Sequence, residues 1–339
     1  MLQDGVPTRY LNDASQILDR TVDGSEPELL AATREIVTEW AGAETARVSV
    51  VSGGITNQLY RLDAEERPTV LVRLYGANTE VIIDRETENA LFAKLSETGF
   101  GPTYYGRFTN GRVEGFLHGF EALEPDQMSD PHLRKLIAYR LAELHDIAPL
   151  SAEPQLWQTL QRWMGIAVDL NLLDLTEARA TLDELQSTFA NDLLPNALPA
   201  AVRPVLSHND LLSGNILYHR DKDEVRFIDY EYGACSYAAF DLANHFCEYA
   251  GFDADFERGF PQRDVREDVI SHYLGGAPHS EVEAFSDLVD FMVLADHLWW
   301  GTWAVVQARY SPIDFDYLGY AKLRLEGLSL HRRTLKEGR

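Results

Sequence analysis

The segment Ser207-His-Asn-Asp210-Leu-Leu-Ser-Gly-Asn215, followed by Phe227-Ile-Asp229-Tyr230, holds the residue types needed to transfer a phosphoryl group to a hydroxyl. That reaction asks little covalent chemistry of a protein. One carboxylate must orient the hydroxyl and take its proton, and hard oxygen ligands must hold the divalent cations that bridge the phosphates. Asp210 suits the first role. Asn215 offers an amide oxygen five residues later, across a tight loop, and Asp229 offers a carboxylate after a short strand hairpin. His-x-Asp followed by Asn recurs by chance, but an apolar strand ending in Asp about fourteen residues on makes the combination specific. The bland alternative is a capped turn and a strand end. His208 reads as a packing and hydrogen-bonding residue of the loop, not a proton carrier.

The elements that must position these groups fall into two blocks. RVSVVS and QLYRLDA alternate apolar and polar residues around GGITN and predict a hairpin; TVLVRLYG (69–76) predicts a third strand. TEVIIDRETENALFAKLSETG (79–99) predicts a helix closed by Gly99, and TYYGRF with RVEGFLHGF, joined by Thr109-Asn110-Gly111, predicts a second hairpin. Helical patterns dominate from about residue 125: 130–147, 155–171, 175–195, 238–250, 264–275, 281–309 and 314–334, interrupted by strand-like runs within 205–232. The expected fold is α+β: an irregular N-terminal arm (1–26), a small antiparallel-sheet N-lobe (27–122) and a large helical C-lobe (123–339). In the first hairpin Gly53 and Gly54, with Thr56 and Asn57, let the backbone approach phosphate closely, although a plain turn would use the same glycines.

Two further groups of residues suit a cationic substrate. Asp241, His245 and Glu248 share one helix face at spacings of four and three, and Glu231 lies two residues past Asp229. Trp300 and Trp303 lie three apart around Gly301, which permits close approach, and Asp296 one turn earlier could add negative charge. Carboxylates and aromatic faces are what an ammonium ion needs, although an aromatic stripe is more often plain core.

HNDLLSGNILY, FIDYEY and FDLANHFCEYAGF together resemble the choline/ethanolamine kinase family, within the wider group that includes the aminoglycoside phosphotransferases. The resemblance spans roughly residues 50–330 and is most specific from His208 to Phe252. RLYG followed by TEVIIDRETE, and IDFDYLGYAKLR near the C-terminus, look more like ethanolamine kinases than choline kinases. It implies a protein-kinase-like fold, use of ATP and Mg2+, and a small amino-alcohol acceptor destined for phospholipid headgroups. By position it implies that Arg73 takes the place of the phosphate-pairing lysine of protein kinases, with Glu88 as its partner, and that the stretch through Phe116 and Leu117 meets the adenine edge. It implies that Asp241 braces the catalytic loop, that Glu231 and Glu248 face the amine, and that Trp300, Trp303, Phe315 and Tyr320 wall the cation pocket. Ethanolamine is favoured over choline; an aminoglycoside kinase and a silent nucleotide-binding protein are the remaining readings.

Composition narrows the partners. Fifty-four acidic residues against thirty basic ones give a formal net charge of -24. A surface this acidic disfavours nucleic acid and anionic membrane. Lys is scarce, at positions 94, 135, 222, 322 and 336, and the combination points to a salt-rich, halophilic cytoplasm where screening tolerates self-repulsion. The apolar run from Leu288 to Ala308 contains Asp290, Asp296 and His297 and predicts a buried helix rather than a membrane span. The N-terminus has no signal-peptide pattern, and Cys235 and Cys247 match neither a disulfide framework nor a metal site, so a cytoplasmic, reduced protein is expected.

Overall fold

The computed structural model describes residues 2–3, 6–7, 17–51 and 57–337, and the statements below concern these residues. They divide into two compact units, 1–120 with 311–313, and 121–310 with 314–339.

The first unit is built on a sheet. Its strands are β1 (Ile17–Leu18), β2 (Arg47–Val51), β3 (Asn57–Asp63), β4 (Val70–Tyr75), β5 (Tyr104–Phe108) and β6 (Gly111–Gly115), in the order β1-β5-β6-β4-β3-β2. All pairs are antiparallel except β1 with β5. Helix α1 (Glu26–Ile36) lays Leu29, Leu30 and Ala32 on a core of Trp40, Leu62, Val70, Val72 and Val113. Part of the expected irregular arm is therefore strand: Leu2–Gln3 pairs with Val6–Pro7, β1 extends the sheet edge, and Val22 joins the core.

Helix α2 (Arg85–Glu97) starts later than the pattern from 79 predicts, because the Asp84 carboxylate accepts from the backbone N–H groups of Glu86 and Thr87 and caps it there. The β5–β6 turn requires Gly111: a Cβ there would lie 2.1 Å from the Arg73 carbonyl oxygen, so the strand carrying Arg73 can approach only a glycine.

The second unit begins at Glu121 rather than after residue 122, since strand β7 (Glu121–Ala122) pairs with Leu217 and Tyr218 of this unit. Helices α3 (Pro131–Asp146), α4 (Leu156–Leu170), α5 (Thr176–Thr188) and the short α6 (Pro199–Val202) precede strand β8 (Pro204–Ser207). Strands β9 (Ile216–His219), β10 (Glu224–Phe227) and β11 (Ala234–Tyr237) follow, and then helices α7 (Ala238–Cys247), α8 (Arg263–Tyr273), α9 (His279–Tyr310) and α10 (Tyr317–Lys336). Antiparallel pairs β8–β11 and β9–β10 flank the segments that bear the candidate catalytic residues.

Helix α9 is buried continuously from Met292 to Gln307 and packs against α10, α7 and α4, so the apolar run of the sequence is the central core helix. Among the described residues no helix is long and apolar enough to cross a membrane. Close contact of α9 and α10 depends on Gly327, where a Cβ would fall 2.6 Å from the His297 ring. Gly301 has no such role, because a Cβ there would meet its neighbours at ordinary distances of 3.6 Å or more.

Candidate active site

The catalytic loop hangs from one buried carboxylate. Asp241, on α7, accepts from the backbone N–H groups of His208 (2.8 Å) and Asn209 (2.7 Å) and pairs with His145 Nε2 on α3 (2.9 Å). Burial raises its pKa, but the His145 hydrogen bond and charge, with His208, outweigh that and hold it below the ordinary range. Asn244, one turn on, accepts from Leu211 N–H, and His245 Nδ1 meets the Leu211 carbonyl (3.0 Å). His208 donates from Nε2 to the Ile228 carbonyl and accepts the Asp210 N–H at Nδ1. Burial depresses its pKa, so it is a neutral scaffold residue, as its place in the loop predicts.

These bonds bring the three sequence-predicted catalytic residues together. Asn215 donates from Nδ2 to both the backbone carbonyl (2.8 Å) and the carboxylate (3.1 Å) of Asp210, and its Oδ1 takes no part in these two bonds. Ile228 N–H bonds to the Asn215 carbonyl (3.0 Å) and sets Asp229 beside it. Asn209 and Asp229 both have left-handed backbone, φ 63° and 64°. Such φ values are uncommon away from glycine, although Asn and Asp tolerate them best.

Asp210 is pushed well above the usual carboxylate range by burial and by the negative charges of Glu248, Asp229 and Glu231. Glu231 and Glu248, expected to face the amine, are both buried, and the charge of each contributes to the rise at Asp210.

The aromatic residues also assemble. Trp300 and Trp303 stand edge to face at 5.2 Å, Trp303 meets Tyr317 at 5.7 Å, and Phe315 meets Tyr317 at 4.9 Å and Tyr320 at 5.8 Å. Tyr232, which the sequence did not single out, closes the array: its ring is 5.2 Å from Trp300 and its hydroxyl accepts from Trp303 Nε1 at 2.7 Å. Phe252 packs on Phe315 and Tyr320. Asp296, expected as an added charge near the substrate, is fully buried and engaged instead by Arg324 and Asn244.

In the first unit the expected Arg73–Glu88 pair is replaced by a network. Arg73 on β4 and Arg112 on β6 are cross-strand neighbours, and both are buried. Arg73 Nη2 reaches Glu114 (3.4 Å), whereas Glu88 takes Arg112 (2.5 Å) and Arg85 (2.6 Å), and Arg112 also bonds to Glu114 (2.8 Å). Two guanidiniums side by side in a low-dielectric site need two carboxylates, and α2 alone supplies only Glu88. Burial pushes Glu88 up, but Arg112 and Arg85, with Arg73 further off, hold it at about 2.

Asn57 accepts from Arg85 Nη2 at 3.3 Å; Gly53, Gly54 and Thr56 lie outside the described residues. After β6 the N–H groups of Gly115 and Phe116 bond to the Thr103 and Thr69 carbonyls, so of the expected adenine-edge segment Leu117 is the residue left to offer its backbone N–H. The Phe116 ring is stacked under the Arg61 guanidinium at 4.3 Å.

Residues 48–328 match the family profile described as choline/ethanolamine kinase. The chain belongs to the choline/ethanolamine kinase family. A probable ethanolamine kinase of Arabidopsis thaliana is 36% identical over 88% of this chain and 83% of its own length. Ethanolamine kinase 2 of Rattus norvegicus is 37% identical over 88% of this chain and 79% of its own length. The solved structure of an ethanolamine kinase from Plasmodium vivax superposes with a TM-score of 0.78 at 27% identity, covering 92% of each chain. As a member of this family the protein is a phosphotransferase with an alcohol acceptor, and its fold is the protein-kinase-like one.

Arg112, Glu114 and Tyr232 are members of the sites that sequence reading missed. Arg112 and Glu114 alternate with apolar residues on a strand, a period-2 signal that marks one shared face, but whether that face is buried is set by the neighbouring strand.

Proposed function

We propose that this protein transfers the γ-phosphoryl group of ATP to the hydroxyl of ethanolamine, giving O-phosphoethanolamine for phospholipid headgroup synthesis. The observation that carries the reading is the convergence on Asp210 of two further buried carboxylates, Glu231 and Glu248, in the unit that also holds the aromatic array of Trp300, Trp303, Phe315, Tyr317 and Tyr320. A primary ammonium donates N–H bonds to carboxylates while its methylenes lie on rings. The quaternary nitrogen of choline has no N–H to give, which favours ethanolamine.

In this mechanism Asp210 orients the hydroxyl and accepts its proton as the phosphoryl group moves in line; no covalent phosphoenzyme forms. Raised basicity suits Asp210 to that role. Asn215 Oδ1 and the Asp229 carboxylate are hard oxygen donors that would hold Mg2+, which would supply neutralisation of phosphate charge. Arg73 pairs with phosphate oxygens, and Asn57, Leu117 and the first hairpin serve the nucleotide. The gathering of Arg73, Arg85 and Arg112 in one buried region supports its phosphate role. The acidic surface, with a formal charge of -24, supports a cytoplasmic enzyme that tolerates concentrated salt.

The test is a coupled ADP-release assay at low and multimolar KCl with ethanolamine, choline and an aminoglycoside as acceptors. Ethanolamine should give the highest kcat/KM, and preference for either rival acceptor rejects the assignment.

A further inference from the structure

We propose that Asp296 and Arg324 are positioning residues of the amine site, joining the loop of Asp210 to Glu248 and keeping the Glu248 carboxylate from full neutralisation so that it can receive the substrate's ammonium. The proposal rests on the ethanolamine reading above.

The chain of contacts is continuous and lies wholly within the second unit. Leu211, next to Asp210, donates its N–H to Asn244 Oδ1 (2.8 Å), and Asn244 Nδ2 donates to Asp296 Oδ1 (3.1 Å). Asp296 Oδ2 is paired with Arg324 Nη2, which also donates to the Asp296 backbone carbonyl (3.3 Å). Arg324 Nη1 reaches the Tyr320 hydroxyl (3.4 Å) and lies 3.5 Å from Glu248 Oε1. Asp296 and Arg324 are among the most deeply buried charged residues of the chain, at 0% and 1% exposure.

The charge count gives the chain a function. One guanidinium serves two carboxylates, and its stronger contact is with Asp296. Among the described residues Glu248 Oε1 is buried and receives no well-formed hydrogen bond, its one cationic neighbour being Arg324 Nη1 at ion-pair distance. A buried acceptor left open is costly unless a ligand completes it. An ammonium with N–H donors is the chemical class that fits, and it would bring the charge of the cluster to zero. Asp296 thus keeps Arg324 from neutralising Glu248, and Asn244 ties that arrangement to the catalytic loop.

The groups facing Glu248 agree with this. They are Arg324 and Tyr320 on α10, Asp296 on α9, Cys247 beside it on α7, and Asp210 on the loop. Burial pushes Glu248 up, Arg324 opposes and Asp296 adds to the rise, placing it at about 7.

The experiment measures kcat and KM for ethanolamine and for ATP across pH in the wild type, Asp296→Asn, Arg324→Lys, Glu248→Gln and the Asp296→Asn/Glu248→Gln double variant. In Asp296→Asn the guanidinium turns fully to Glu248. The KM for ethanolamine should rise about tenfold or more, as expected when a buried charge loses its role, with kcat and the KM for ATP within about twofold. The same substitution in the Glu248→Gln background should add nothing to that KM.

The acid limb of kcat/KM for ethanolamine should move to lower pH in Asp296→Asn. It should move to higher pH in Arg324→Lys, whose single ammonium cannot serve two carboxylates at once. General structural damage moves neither limb, and if Asp296→Asn fails to fold, the Arg324→Lys limb decides alone. Wild-type turnover of ethanolamine with unmoved limbs, or with equal changes in both KM values, overturns the proposal and leaves the functional reading standing. No wild-type turnover of ethanolamine overturns both.

Discussion

Each unit of the protein buries a network of charges, and the two are built with opposite sign. In the ion pairs among the described residues around Glu88, the first unit sets Arg73, Arg85 and Arg112 against Glu88 and Glu114, three positive groups against two negative. Around Arg324 the second unit gathers Asp296 and Glu248, one positive group against two negative. Desolvation acts alike on Glu88 and Glu248, pushing both up, yet the outcomes diverge: Glu88 is held at about 2 and Glu248 rises to about 7. The local sign of the excess charge decides whether burial or pairing wins. Each excess complements one partner of the proposed reaction, polyphosphate for the first network and ammonium for the second.

The sharpest way to test the division is to remove the chemistry and keep the rest. Asp210→Asn and Asp229→Ala should each lower kcat by about a thousandfold or more, the scale expected for loss of a catalytic base or a metal ligand. Circular dichroism and thermal melting should stay close to wild type; near-normal turnover in both variants would break the site assignment.

Next in size is the structural weight of the first network. Arg112→Met leaves Glu88 with Arg85 and Glu114 with the more distant Arg73 in a buried site, which should cost up to about 3–5 kcal/mol of unfolding free energy by the scale for breaking buried pairs. Urea titration measures it. A loss below about 1 kcal/mol would show that water reaches these carboxylates and would weaken the contrast between the units.

The two networks should also respond oppositely to pH in the unliganded protein. Glu88 has a depressed pKa, so the stability it contributes is present above its ordinary value of 4.5 and is lost as pH falls toward about 2. Glu248 has a raised pKa, so the native state holds a proton that the unfolded chain has released between 4.5 and about 7, and stability falls as pH rises through that window. Melting curves of Glu248→Gln should lose the decline between pH 4.5 and 7, and Glu88→Gln should lose part of the acid-side slope. Identical pH profiles for wild type and Glu248→Gln would mean that the carboxyl is not perturbed in solution.

The smallest effect expected is Trp303→Phe. It removes the bond from Nε1 to Tyr232 and trims one wall. We expect an increase of about threefold to tenfold in the KM for ethanolamine, the scale of one neutral hydrogen bond, with the KM for ATP unchanged. A matching change in the KM for ATP would show that the wall does not act on the amine alone.

Much of this was legible from residue order. The order His208, Asp210, Asn215, Asp229 is local, and the loop and hairpin that carry these residues are set by turn chemistry and short-range pairing. The helical block and the core helix through Trp300 and Trp303 followed from apolar periodicity. What misled was pairing across the sheet. Position in the chain pairs Glu88 with Arg73, but Arg112 lies opposite Arg73 on the next strand and takes the Glu88 carboxylate. Gly301 looked like a close-approach position; Gly327, on the facing helix, is the one whose Cβ would clash.

By itself, then, the chain order determined which groups exist to transfer a phosphoryl group and in what local frame they are held, because strands, caps and tight loops are short-range matters. The charge state of each network was decided only by tertiary structure. A buried carboxylate takes its pKa from whichever guanidinium long-range packing delivers to it, and that neighbour lies 24 residues away for Glu88 with Arg112 and more than 70 for Glu248 with Arg324.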